Sequence, residues 1–153
     1  MEIRKATIDD IGLLVSLRLD YIRADWGSQT PEEEEAIAQG FRRYLTAHLP
    51  AGDFVGMIAR EGETVMGAAY LVISEKPANP VYPNGITGLV LNVLTYPEHR
   101  RRGVATSLME ALIGEARKAD VSCLELSATG EGKPLYEKLG FTEARCPGMR
   151  LKL

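Results

Sequence analysis

The stretch from Gly88 to Ala119 constrains this chain more than any other, because it sets a buried strand, a cationic turn and an amphipathic helix in direct succession. Leu89 to Thr95 is an almost unbroken aliphatic and β-branched run, which predicts a strand covered on both faces. Pro97 ends it. From Val104 the apolar residues fall at Val104, Ala105, Leu108, Met109, Leu112, Ile113 and Ala116, the one-sided spacing of a helix of about four turns. Arg117 and Lys118 suit its C-terminal end. Between strand and helix lie Arg100, Arg101 and Arg102, then Gly103 and the small residues Ala105, Thr106 and Ser107. A helix N-terminus offers unpaired backbone N–H groups and roughly half a positive charge. Gly and Ala there leave room for a phosphate, so the turn is predicted to bind an anion. The other reading of the same residues is a basic, solvated loop between two core elements.

At 153 residues the chain suits one domain spanning 1–153. Such a length buries about two thirds of the unfolded surface in a single core, without metal or disulfide staples. A formal net charge of −3 argues against a general nucleic-acid binder, so the arginine cluster is a local feature. Cys123 and Cys146 have no metal-like spacing, and no metal is expected. The opening Met-Glu-Ile-Arg-Lys has no apolar leader, and no apolar run is long enough for a membrane span. The expectation is a cytoplasmic protein with neither membrane nor nucleic-acid partner.

Glu2 to Thr7 reads as a strand. Thr7 and Asp10 then form a capping box opening a helix to about Ala24, with Ile8, Ile11, Leu14, Val15, Arg18, Leu19 and Ile22 along it. Thr30-Pro31-Glu32-Glu33 opens a second helix, to about His48. Asp53 to Arg60 and Thr64 to Ser74 read as a hairpin, and Lys76 to Gly85, with three prolines, as a loop. Past the organising stretch, Val121 to Ala128 reads as a second buried strand and Lys133 to Leu139 as a short helix closed by Gly140. Phe141 to Leu153 reads as two terminal strands around Pro147-Gly148.

Arg100-x-x-Gly103-x-Ala105 resembles the Arg/Gln-x-x-Gly-x-Gly/Ala signature of the GNAT superfamily of acyl-CoA-dependent N-acetyltransferases. The match extends to Asn-Val-Leu-Thr-x-Pro-Glu-His-Arg before it and Pro-Leu-Tyr-Glu-Lys-Leu-Gly-Phe about thirty residues after it, and the element order is similar over essentially the whole chain. The resemblance implies an α/β (α+β) fold: a mixed, mostly antiparallel seven-stranded sheet flanked by about four helices. Its fourth and fifth strands, here Leu89 to Thr95 and Val121 to Ala128, would splay to admit a pantetheine arm.

It also implies acetyl-CoA as co-substrate, with its pyrophosphate on the N–H groups of Arg102, Gly103, Val104, Ala105 and Thr106. Arg100 and Arg101 would lie nearby, or Arg100 would fold back to brace the loop. A backbone N–H within Val93 to Thr95 would polarise the thioester carbonyl, and Leu94 is the expected one. Tyr136 falls where the family has a general acid, and an ordinary phenol is protonated at neutral pH. Thr129 replaces an asparagine that bonds the pantetheine arm in relatives, and Leu94 replaces a tyrosine. No general base is evident: Asn92 cannot act as one, Glu125 is expected to be buried and paired, His99 to be solvated, and a water chain is an equal alternative. Tyr21, Asp25, Trp26 and Asn92 are the expected acceptor-side residues, acidic and aromatic groups suiting a cationic amine, while Glu32 to Glu35 cap a helix.

The implied activity is N-acetylation of a small amine or a peptide, by direct attack in a ternary complex. The alternative is a non-catalytic acyl-CoA-binding or regulatory domain. A phosphate-binding P-loop is excluded because no Gly-Lys-Ser/Thr follows the glycine. By analogy with the superfamily, the terminal strands offer a homodimer contact.

Overall fold

The computed structural model describes residues 1–153. Four consecutive strands, β1 (Glu2–Lys5), β2 (Phe54–Glu61), β3 (Thr64–Glu75) and β4 (Ile86–Thr95), pair antiparallel in chain order. β5 (Cys123–Glu125) joins β4 in parallel after the crossover helix α3 (Val104–Lys118), the connection a parallel pair requires. The helices α1 (Ile11–Trp26) and α2 (Pro31–Ala51) lie between β1 and β2 in sequence, and a short α4 (Lys133–Lys138) follows β5.

The sheet is covered on both faces, as the continuous apolar runs of its central strands demand. On one face Leu108, Met109 and Leu112 of α3 pack with Met57, Met66 and Leu71. On the other, Leu14 and Leu17 of α1 and Leu45 of α2 pack with Phe54, Ile58, Tyr70 and Leu94. Tyr70 is fully buried, and its phenol donates to the Leu14 carbonyl at 2.7 Å, which satisfies the hydroxyl that burial would otherwise strand.

The capping box expected at Thr7 and Asp10 forms, and the expected helix start at Thr30 carries a second one. Thr7 and Asp10 close a 3-10 turn (Ile8–Asp10) leading into α1. At α2, Thr30 Oγ1 accepts from the Glu33 N–H while the Glu33 carboxylate accepts from the Thr30 N–H, each at 3.2 Å.

Four expectations are corrected. The sheet has five strands rather than seven, and β5 holds three residues in register where a buried strand from Val121 to Ala128 was predicted. So short a rung leaves little edge for another strand to pair with. Residues 142–153 are irregular and exposed, with Met149 at 96% and Leu151 at 82% accessibility. Their alternating apolar pattern has no sheet face beneath it. Glu125, on this open edge, is exposed and makes no ion pair.

Candidate functional site

β4 carries an irregularity that its sequence conceals. Leu91 pairs with Tyr70 and Leu94 with Ala68, so Asn92 and Val93 together oppose the single residue Ala69, a β-bulge. Asn92 takes the left-handed conformation, φ +57°, which asparagine tolerates better than a branched residue would. The bulge keeps Leu91, Asn92 and Leu94 all on the face covered by α1, while Val93 turns toward α3.

β4 and β5 pair only from Thr87–Cys123 to Leu89–Glu125. Beyond that point the β5 side of β4 has no strand partner, because β5 ends at Glu125, and the gap left beside β4, with Leu91 and Ser127 to Thr129 on the wall of a cavity, is the slot. The amides facing the slot follow from the ladder. Tyr96 N–H donates to Met66 O at 3.0 Å, and alternation turns Leu94 toward β3 as well. A methyl group added to Gly67 on β3 would lie 2.2 Å from the Leu94 carbonyl oxygen, which confirms that side. Val93 and Thr95 therefore face the slot. Leu94, the residue expected to polarise a carbonyl, has its amide engaged in the sheet.

At the foot of the slot, α3 begins without a side-chain cap. Ser107 N–H is bonded to Gly103 O at 3.0 Å, so the amides of Val104, Ala105 and Thr106 precede the first bond of the helix and have no partner within it. Gly103 holds φ +77°, a conformation that disfavours any Cβ, and the space above it is open. Arg100 folds back, its Nε 3.5 Å from Thr95 O, the second of the two expected positions. Arg102 pairs with Glu61 at 2.8 Å and approaches His99 Nδ1 at 3.4 Å. Arg101, at φ +60°, is exposed and makes no side-chain bond, so it is the free cation of the turn.

Tyr136 packs edge-on against Phe141, ring centroids 5.9 Å apart. Burial first, and the neighbouring Tyr21 second, hold its phenol above the usual tyrosine range, so it is protonated at neutral pH. The Tyr136 hydroxyl makes no hydrogen bond within the chain. Thr129 is committed elsewhere: its Oγ1 accepts from Gly132 N–H at 3.1 Å and closes the turn into α4.

On the α1 side lie two adjoining cavities. The smaller, about 260 Å³, is walled by Tyr21, Asp25, Leu91, Thr129 and Arg150 among others; the larger, about 420 Å³, runs between α1 and α2 past Ile37 and Phe41. Trp26, 65% exposed, borders both. Arg18 also borders both, and the sequence reading passed over it as one more residue of a helix. The signal was present, since Arg18 stands at the spacing of the apolar stripe Ile11, Leu14, Val15 and Ile22, where a charge is out of place. Tyr21 donates to Asp25 at 3.4 Å, and Arg18 Nη1 donates to Asn92 Oδ1 at 3.3 Å. The structure thus brings Tyr21, Asp25 and Trp26 to the wall of one cavity, with the Gly103 turn following the end of β4, whereas Asn92 is buried, lines neither cavity and meets the group only through Arg18. No group of three or more His, Cys, Asp or Glu side chains is placed to hold a metal ion, and no helix is long and apolar enough to cross a membrane.

Solved structures share this architecture. A GCN5-related N-acetyltransferase from Ralstonia eutropha JMP134 is 27% identical, covering 98% of this chain and 97% of its own, with a TM-score of 0.84. A predicted acetyltransferase from Clostridium acetobutylicum, solved with acetyl-CoA, is 28% identical over 99% and 95%, with a TM-score of 0.86. Ribosomal-protein-alanine N-acetyltransferase from Brucella melitensis biovar Abortus 2308, at 20% identity, full coverage of both chains and a TM-score of 0.71, shares the fold. No curated protein matches the sequence. The model of the acetyltransferase (GNAT) family matches residues 15–141, most of both helical layers and the whole slot, and the chain belongs to that family.

Proposed function

We propose that the protein transfers the acetyl group of acetyl-CoA to the primary amine of a small molecule or peptide, by direct attack within a ternary complex. The observation that carries this reading is the uncapped start of α3, with Gly103 in the left-handed conformation at the foot of the open β4/β5 slot. The amides of Val104, Ala105 and Thr106 suit a pyrophosphate, and Arg101 adds charge beside them.

Acetyl-CoA supplies an activated thioester. The Val93 amide, facing the slot, is the donor we assign to its carbonyl oxygen, in place of Leu94. The acceptor nitrogen, neutral when it attacks, forms the new C–N bond as the C–S bond breaks, and loses its proton to water. Tyr136 gives its phenolic proton to the departing thiolate and recovers one from solvent.

Release of free thiol from acetyl-CoA, measured against amino acids, short peptides, polyamines and aminoglycosides, tests the reading. Release dependent on one class of amine supports it. Saturable binding of acetyl-CoA with no release on any amine would favour a non-catalytic acyl-CoA-binding domain.

A further inference from the structure

The acceptor side of the slot holds a cation with no counterion. Arg18 lies half-buried on α1, and no carboxylate is within ion-pairing distance of it. The nearby acids are engaged elsewhere: Asp20 with Tyr96 and Arg23, and Asp25 with the Tyr21 hydroxyl. Only its Nη1 is bonded, to Asn92 Oδ1, and its guanidinium carbon stands 5.8 Å from the centre of the Tyr21 ring. Nε and Nη2 have no partner within the chain, and together they form the planar two-donor edge that matches a carboxylate. Burial pulls the guanidinium below its ordinary arginine value, and the only groups opposing that effect are the phenols of Tyr21 and Tyr70. An unpaired, partly desolvated cation is a standing cost to the fold that an arriving anion removes.

We infer that Arg18 is the specificity-determining residue of the acceptor site, and that it receives an anionic group, a carboxylate, on the amine to be acetylated. This rests on the acetyl-transfer reading above, and it reverses the expectation of a cationic acceptor. Arg150 borders the same cavity, so two cations face one acid, Asp25, on its wall. At about 260 Å³ the cavity falls below the range of drug-sized sites and suits an amino-acid-sized acceptor. The contact of Arg18 with Asn92 ties the anion receptor to the bulge that turns Val93 into the slot.

The experiment compares matched amines that differ in the anion alone. Thiol release from acetyl-CoA is measured for each common amino acid and its carboxamide, for O-phosphoethanolamine and ethanolamine, and for spermidine. We expect at least one amino acid to exceed its amide at least tenfold in kcat/KM. Arg18→Gln should erase that preference through the acceptor KM while leaving the acetyl-CoA KM unchanged, and Arg18→Lys should restore part of it. Preference for spermidine or for the amides overturns the inference, and preference for O-phosphoethanolamine over every amino acid replaces carboxylate with phosphate.

Two readouts do not depend on turnover. The Arg18 Nε–H resonance of the wild-type protein should shift on titration with N-acetyl amino acids and stay in place with their amides. The gain in Tm that a saturating N-acetyl amino acid gives the wild type should be lost in Arg18→Met. A shift without turnover would uphold the anion site and sink acetyl transfer. An unmoved resonance, or the same ligand-induced gain in Tm in both proteins, would make Arg18 a packing residue.

Discussion

Tyr96, the first residue past β4, donates its phenol to the Asp20 carboxylate of α1 across 2.5 Å. Asp20 also accepts from Arg23 at 3.0 Å, and Arg23 grips Glu34 of α2 through two bonds of 2.7 and 2.6 Å. One polar chain thus runs from the end of the slot-forming strand through both acceptor-side helices. Burial first, and the Asp20 bond second, hold the Tyr96 phenol well above its usual range, so it remains a donor at any physiological pH.

Tyr96→Phe removes the link at the strand. The expected cost is about 1.5–3 kcal/mol, the value of a hydrogen bond to a charged partner. Urea unfolding of the variant should show a lower midpoint with an unchanged slope. An unchanged midpoint would mean that α1 is held by its apolar face alone.

Acid should weaken the molecule through Asp10. Its bonds from Arg4, at 2.7 and 2.8 Å, and from the Thr7 N–H hold its carboxyl down at about 2, against an ordinary value near 3.8. A depressed folded-state value stabilises the native protein above the unfolded pKa, and the contribution fades as pH falls from about 4 through about 2. With both side chains partly exposed, it amounts to on the order of 1–2 kcal/mol. Asp10→Asn should lower stability at pH 7 and flatten its dependence between pH 5 and pH 2. Parallel curves for variant and wild type would exclude the pair as a source of acid sensitivity.

Gly67 is needed for the close approach of β3 to β4. Gly67→Ala would drive a methyl group into the Leu94 carbonyl, which is backbone and cannot swing aside. Gly88→Ala meets the ends of the Leu124 and Leu71 side chains, which can move. Chemical denaturation should show a loss of about 2–3 kcal/mol at Gly67 and less at Gly88. The reverse order would show that the strands part easily at the bulge.

The periodicity of α3, the Thr7–Asp10 capping box, the helix start at Thr30 and the basic turn were legible in the sequence because each rests on short-range rules: spacing, a side chain reaching three residues on, a helix end lacking partners. The bulge was not. Asn92 reads like any polar residue in a strand, and its left-handed backbone is visible only once Leu91 and Leu94 are paired with β3. For the same reason the choice between the Leu94 and Val93 amides needed the ladder itself. The terminal strands failed for a different cause, since alternation at Met149, Leu151 and Leu153 specifies a strand only where a sheet edge and an apolar face await it. Arg18 was legible as a charge within the apolar stripe of α1, but its contact with Asn92, 74 residues away, was not.

Tyr136→Phe separates chemistry from packing, because the ring and its contact with Phe141 are kept. We expect kcat to fall roughly tenfold to a hundredfold, with the acetyl-CoA KM within about twofold. Activity that depends on a protonated phenol is lost as pH rises through its pKa, here above the ordinary value near 10. The wild type should show that alkaline limb, and the variant should lack it. Equal turnover in the two proteins would make Tyr136 structural.

The uncapped start of α3 is tested most directly by calorimetric titration of acetyl-CoA into the wild type, Gly103→Asn and Gly103→Glu. Asparagine accepts a positive φ and adds no charge, whereas glutamate adds a carboxylate to the anion site. The account predicts saturable binding to the wild type, binding that persists in Gly103→Asn, and affinity reduced at least tenfold in a folded Gly103→Glu. Wild-type affinity in the glutamate variant, or no binding to the wild type at all, would contradict it.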